Sequence, residues 1–236
     1  MTVPNYRPPE ALTGTPGKVA LARGTLLYRV HASHRAAADF NPRLSHCLYG
    51  GGRFDGRPCD PYGYLYAGLS AAAAVCETML RSLPFDPLGG PRLLPRRAVD
   101  GRRLSMLRLT ADLCVLPLMT AQDLAAVHQD SWLVHAEAHE YPYTRDWAHW
   151  IRHHTEPWAQ GLVWSSKREP GDRTVVLFGD RSPVGALRAD EADAVDFDTT
   201  EEPGDTPGLG EEAPETARAE LTWSARTGRP PAHQCC

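Results

Sequence analysis

A single carboxylate, Glu77, stands in the apolar stretch YLYAGLSAAAAVCETML, residues 64–80. Residues three and four apart share a helix face, so a helix here makes Ala73, Ala74, Leu80 and Arg81 the neighbours of Glu77. The alanines are small enough for a ligand or another backbone to approach the acid closely. An ionised carboxylate so placed can stabilise a cation that forms during a reaction, most strongly where water is excluded. The plainer reading is an i,i+4 pair of Glu77 with Arg81 on a solvated face. Two arginines offer themselves to an anion: Arg29, at the end of GTLLYRV (24–30), and Arg53, in GGGRF (50–54), where glycines make the backbone mobile and approachable. A guanidinium fork suits a diphosphate because two donors meet two oxygens. Tyr66, with Tyr64 as the alternative, offers a ring face to a flat, cationic heterocycle. Taken singly, an Arg29 is more often a surface residue and a Tyr66 more often core.

Competing chemistries are thinner. HAEAHE (135–140) sets His135 and His139 four apart, as two metal ligands on one helix turn require, but it lacks the His-Glu-x-x-His order of a zinc protease. His153 and His154 are adjacent and diverge. No Gly-x-Ser-x-Gly elbow marks a serine hydrolase. Six scattered cysteines include no Cys-x-x-Cys pair, and in a reducing compartment they are free thiols. The terminal Cys235 and Cys236 do not fit the four-residue prenylation pattern. No metal site is expected.

The elements that must position these side chains are short. GTLLYRV reads as a strand, with Leu26, Tyr28 and Val30 on an apolar face and Arg29 opposite. GGGRFDGRPCDPYG (50–63) is loop. YLYA is a strand, and Ser70 caps a helix that runs to about Ser82 and stops before Pro84. On that helix Val75, Cys76 and Met79 point to the core. RRLSMLRL (102–109) and LCVLPL (113–118) are strands, and Thr120 with Asp123 caps the helix AQDLAAVHQ. TRDWAHWIRHHTEPWAQ (144–160) is a helix burying Trp147, Trp150 and Ile151, disturbed at Pro157. GLVWSS and TVVLFG pair across the loop KREPGD. Strands mixed irregularly with helices specify an α+β domain instead of a doubly wound parallel sheet.

A chain of 236 residues is long enough to bury a core without staples, and one domain is expected. Residues 1–18 read as a flexible lead-in, 19–189 as the folded domain, and 190–236 as an acidic, largely disordered tail that buries too little apolar surface to offset the entropy of ordering. Twelve acids and three arginines give residues 190–236 about minus nine; with minus four for the whole, residues 1–189 carry about plus five. That mildly basic body suits a small anion and lacks the dense basic stripe of a nucleic-acid binder. No run approaches the roughly 18 apolar residues that span a bilayer, and the first residues lack a signal-peptide pattern, so no membrane association and a cytoplasmic location are expected.

The order LYR (27–29), GGRF (51–54), YAGLSAAAAVCE (66–77) and GLVWSS (161–166) before VVLF resembles the RES-domain family, from about Gly24 to Asp180. The resemblance implies a fold similar to that of ADP-ribosyltransferase toxins, and the activity of bacterial toxin-antitoxin toxins that degrade NAD. It places the family's arginines at Arg29 and Arg53, its tyrosine at Tyr66 with Tyr64 open, its glutamate at Glu77 and its serine at Ser166 with Ser165 open. Glu77 then lies beneath the ribose as nicotinamide leaves and an oxocarbenium-like sugar forms. Arg29 and Arg53 hold the diphosphate, Tyr66 packs on nicotinamide or its ribose, and Ser166 orients them. NAD is the substrate, no cofactor is needed, and phosphate is a candidate co-substrate. The acceptor stays open: water gives a glycohydrolase, phosphate a phosphorylase, a macromolecule an ADP-ribosyltransferase. A binding module without catalysis is the reading from another class. The resemblance also implies an antitoxin with a helix-turn-helix DNA-binding part, whereas no direct nucleic-acid contact is expected. Oligomeric state is left open, a homo-oligomer included.

Overall fold

The computed structural model describes residues 5–83, 86–90 and 94–197. Its strands are β1 (Val19–Leu21), β2 (Leu26–Ala32), β3 (Tyr64–Gly68), β4 (Arg102–Leu109), β5 (Leu113–Pro117), β6 (Gly161–Ser165), β7 (Arg173–Phe178) and β8 (Leu187–Asp196). They form one sheet in the order β1-β5-β6-β7-β3-β2-β4-β8. The β5–β6 pair is parallel and the other pairs are antiparallel. The helices are α1 (Ala71–Val75), α2 (Arg96–Val99), α3 (Ala121–Ala126), α4 (Trp132–His135) and α5 (Tyr141–His154). The fold is a mixed α+β domain, as its irregular succession of strands and helices predicts. None of the described helices is long and apolar enough to cross a membrane.

The apolar runs form strands because the sheet is covered on both faces. Side chains alternate across it: Leu162, Trp164, Val176 and Phe178 join Trp147, Ile151 and Leu133 in one core, while Val163, Val175 and Leu177 join Leu27, Leu65, Leu107 and Val115 in the other. Burying such aliphatic and aromatic side chains contributes about 1.5–3 kcal/mol each, which is what holds the central strands in register.

Several boundaries differ from expectation. In β2 the fully buried Leu27 shares its row with Arg29 and His31, so the face carrying Arg29 is an inner face, not the solvated one. The helix predicted over 144–160 begins at Tyr141, with Pro142 in its first turn, and ends at His154; Pro157 has no N–H with which to continue it. Trp147 and Ile151 are buried on it and Trp150 is half-buried. β8 carries the fold past the expected end at 189, through Asp196. Its acids do not prevent ordering, because the backbone ladders onto β4 and Arg103 grips Asp196 through two 2.7 Å hydrogen bonds. The rest of the expected tail lies outside the described residues. Nor is the lead-in loose from residue 5 onward: the Asn5 carbonyl accepts from the Trp147 indole and the Gln129 amide, and Tyr6 packs edge-on to Trp132.

Candidate active site

Glu77 is positioned by a helix that changes hand-hold as it runs. The Ser70 hydroxyl accepts from the Ala73 N–H at 3.0 Å and donates to Asp172 at 2.5 Å, fixing the start of α1 to the loop before β7. Ala73 and Ala74 turn into the protein, whereas Val75, Cys76 and Met79, expected in the core, are only half-buried. The helix does not stay α to Ser82. Residues Cys76–Leu80 form a single π-helical turn, a local widening common at functional sites. Glu77 stands on that turn with its side chain 9% exposed.

Four donors meet its carboxylate. Oε2 accepts from Arg53 at 2.7 Å and from Arg81 at 2.8 Å; Oε1 accepts from the Lys167 backbone N–H at 2.8 Å and the Ser166 hydroxyl at 3.2 Å. Burial alone would raise the Glu77 pKa, but the two guanidiniums and the Lys167 N–H outweigh it and hold the carboxyl below its usual range. The pairing with Arg81 is the i,i+4 pair of the plainer reading, but it is buried and not solvated. Arg81 is thus more than a surface partner: its remaining donors reach Tyr141 Oη and the Ala136 carbonyl. Arg and Glu four apart was the sole signal in the sequence, and burial gave it a different meaning.

Arg53 is 3% exposed and donates to the Val134 carbonyl as well as to Glu77, with its guanidinium 4.9 Å from the Trp164 ring centre. Desolvation, with Arg81 close by, brings its pKa down to about 10. The loop carrying it is wrapped tightly. Asp55 accepts from Gly52 N–H, Ser45 and Tyr66 Oη, while Arg145 donates to the carbonyls of His46, Gly50 and Gly52. Gly51, at φ +75°, and Gly52 are needed for that wrap: a Cβ would fall 2.1 Å from Ser45 Oγ and 2.6 Å from Asp55 Oδ1, respectively. The mobility expected of these glycines is therefore not what the structure displays. Arg145 had no sequence signal, since it acts on backbone far along the chain, and Asp55 had none because its role depends on two hydroxyls that the folded loop brings to it.

Arg29, Tyr66 and Tyr64 line the same cavity as Glu77 and Arg53, a space of about 610 Å³ within the range of small-molecule sites. Arg29 is 8% exposed; its Nη1 donates to the Ala37 and Asp39 carbonyls at 2.5 and 2.6 Å, and burial lowers its pKa to about 10. The Tyr66 hydroxyl donates to Asp55 and accepts from the Phe54 N–H, and its ring lies edge-on to Trp164. Tyr64 instead bonds Asn41 and the Arg43 carbonyl. Ser166, 1% exposed, is the serine that meets Glu77, with Ser165 at the end of β6. His31, beside Arg29 in the lining, is held neutral by burial: Nδ1 faces the Ala32 carbonyl and Nε2 faces Ser105 Oγ.

The histidine pair does not share a helix turn. The chain becomes extended at Ala136, between His135 in α4 and His139 in a separate 3₁₀ turn. Among the described residues no group of three His, Cys, Asp or Glu is placed to hold a metal ion.

Comparison with known proteins agrees with this architecture. A solved structure, the M. tuberculosis MbcT-MbcA toxin-antitoxin complex, contains a chain of similar fold: TM-score 0.52 and 20% identity, over 75% of this chain and 86% of that one. No curated protein sequence matches significantly. The profile of the RES domain matches residues 26–200, a span that takes in β2 with Arg29, the Arg53 loop, the π-turn with Glu77 and the Ser166 strand end. The chain belongs to the RES-domain family.

Proposed function

We propose that the protein cleaves the bond between nicotinamide and ribose in NAD, and does so as the toxin of a bacterial toxin-antitoxin pair. The observation that carries this reading is Glu77: an ionised carboxylate, nearly buried, fixed by four donors at the wall of a cavity that also holds Arg29 and Tyr66. Family membership and a structural neighbour described as a toxin-antitoxin complex support the biological role.

In the proposed reaction the C1–N bond breaks, nicotinamide departs neutral with the electron pair, and positive charge spreads over C1 and the ring oxygen of the ribose. A preorganised carboxylate lowers the energy of that charge without having to reorganise. With its acceptor sites filled and its pKa depressed, Glu77 acts through its field and not as a proton acceptor. Ser166, at 3.2 Å the longest of its contacts, is the donor a ribose hydroxyl would replace. Arg29 keeps Nε and Nη2 without partners among the described residues and takes the diphosphate. Arg53, expected at the diphosphate too, works in this geometry chiefly by aiming Glu77, and Tyr66 closes the wall near the nicotinamide ribose. Holding both ends of a flexible dinucleotide aligns the breaking bond.

Water or phosphate then captures the sugar, giving ADP-ribose or its 1″-phosphate. Transfer to a macromolecule shares the same first step. Nicotinamide release by the purified protein, with product analysis with and without phosphate, tests the reading. Glu77→Gln should lower release by about 10²–10³-fold, as loss of one preorganised electrostatic group does. No release under any acceptor would favour a binding module. Expression without a partner should arrest bacterial growth, and Glu77→Gln should relieve it; a neutralising antitoxin with a helix-turn-helix part is the proposed partner.

A further inference from the structure

The cavity is charged unevenly along its length. Among the described residues its lining holds six arginines against one carboxylate, Glu77, and His31, held neutral, adds no charge. Near Glu77, Arg53 and Arg81 share its one carboxylate in buried ion pairs. Away from it lie Arg35 and Arg102. The β2–β4 ladder sets Arg102 opposite Ala32, and the turn closed by the Arg35 N–H on the Ala32 carbonyl folds Arg35 back onto the same strand end. Both are exposed, and no side-chain hydrogen bond or ion pair holds either among the described residues. Two guanidiniums left together repel unless an anion lies between them. Nearby acids are engaged elsewhere: Asp100 pairs with Arg96, Asp196 with Arg103, and the charge of Asp39 acts on Arg29.

Position decides which anion. Ser166 follows β6 and Arg102 opens β4, four strand spacings apart in the sheet, roughly 19 Å across the ladder. With the reacting ribose at Glu77 and the diphosphate on Arg29, a dinucleotide laid along the cavity brings its adenosine to His31, Arg35 and Arg102. In doubly wound dinucleotide-binding folds, a different architecture, a carboxylate takes the 2′-hydroxyl of an unmodified adenosine ribose and an arginine takes a 2′-phosphate, and the same charge logic holds on any scaffold. Here arginines stand and no carboxylate does. Resting on the cleavage reading above, we propose that Arg35 and Arg102 form an anion subsite for a phosphate monoester on the adenosine ribose, making the 2′-phosphorylated dinucleotide, NADP, the preferred substrate. A free phosphate at this corner has the same chemistry but sits too far from Glu77 to attack the sugar.

The test uses the full chain. Binding of adenosine 2′,5′-bisphosphate and of AMP is measured by calorimetry, and nicotinamide release from NADP and NAD is followed in parallel. The bisphosphate should bind about tenfold tighter and NADP should show a similar advantage in kcat/KM, as charge-assisted hydrogen bonds at an exposed site give. In Arg35→Ala/Arg102→Ala both ratios should fall toward one; these side chains are exposed and unpartnered, and a melting curve checks that the variant is folded. Equal binding of the two nucleotides by the wild type overturns the subsite and leaves NAD cleavage standing. Release from neither dinucleotide overturns the cleavage reading, and the nucleotide affinities still decide the subsite. Equal losses for both nucleotides in the double variant would reveal only a general electrostatic pull and sink the proposal. So would phosphate stimulation of NAD turnover that the double variant abolishes, because the corner would then serve the acceptor.

Discussion

A carboxylate has about four acceptor sites, and Arg53, Arg81, Ser166 and Lys167 occupy those of Glu77. Its folded pKa therefore lies below its unfolded one. The stability this contributes is present above the unfolded pKa, near 4.3 for a free glutamate, and is lost as pH falls through the lower folded value. Two outcomes follow for Glu77. Nicotinamide release should stay level as pH is lowered from 7 to 5, since a carboxyl held below its usual range remains charged there; a rate that halves between pH 6 and 5 would contradict this. Urea unfolding at a series of pH values should show a shallower acid loss of stability for Glu77→Gln than for wild type, together with a drop of about 3 kcal/mol at neutral pH from the uncompensated guanidiniums. At this scale part was legible: of the residues the sequence singles out, Arg53 and Ser166 reach Glu77, while Arg29 and Tyr66 line the same cavity without touching it. Asp55, Arg145 and Arg81 were not, because their worth comes from burial and from carbonyls and hydroxyls brought close only by the fold.

The π-turn matters because it sets the direction in which Glu77 leaves its helix. Its anchor is Ser70, which serves both the first turn of α1 and Asp172. Ser70→Ala should cost about 1 kcal/mol by loss of the cap, read as a lower Tm, and should lower kcat more than it changes KM, because Glu77 shifts while Arg29 stays. An unchanged kcat would separate the cap from the site. Strands of continuous Val, Leu and aromatic residues, such as β6 and β7, could be read directly because sheet burial on two faces demands them. β8 could not: its acids argue against order, and what orders it is the unpaired edge of β4 and the fork of Arg103. The π-turn left no mark either, since it is a choice of backbone hydrogen bonds that composition does not record.

At the scale of the molecule, β8 is the outermost strand next to β4, which in turn holds β2 and Arg29. Compared with a chain ending after Phe197, one ending after Ala189 lacks most of β8 and exposes the β4 edge. The second truncation should lower Tm by several degrees, at roughly 2–4 °C per kcal/mol for a chain of this size, and should promote aggregation through the uncovered edge. Equal melting of the two chains would contradict a structural role for β8. The distribution of charge was legible as a mildly basic body, but its concentration in one cavity was not, because that depends on which arginines the sheet order brings to one side.

Glu77 draws its donors from residues 53, 81, 166 and 167, so no early portion of the chain contains a working centre. During synthesis the four-donor grip on Glu77 can close only once β6 and the Ser166–Lys167 turn after it have left the ribosome and locked beside their neighbours.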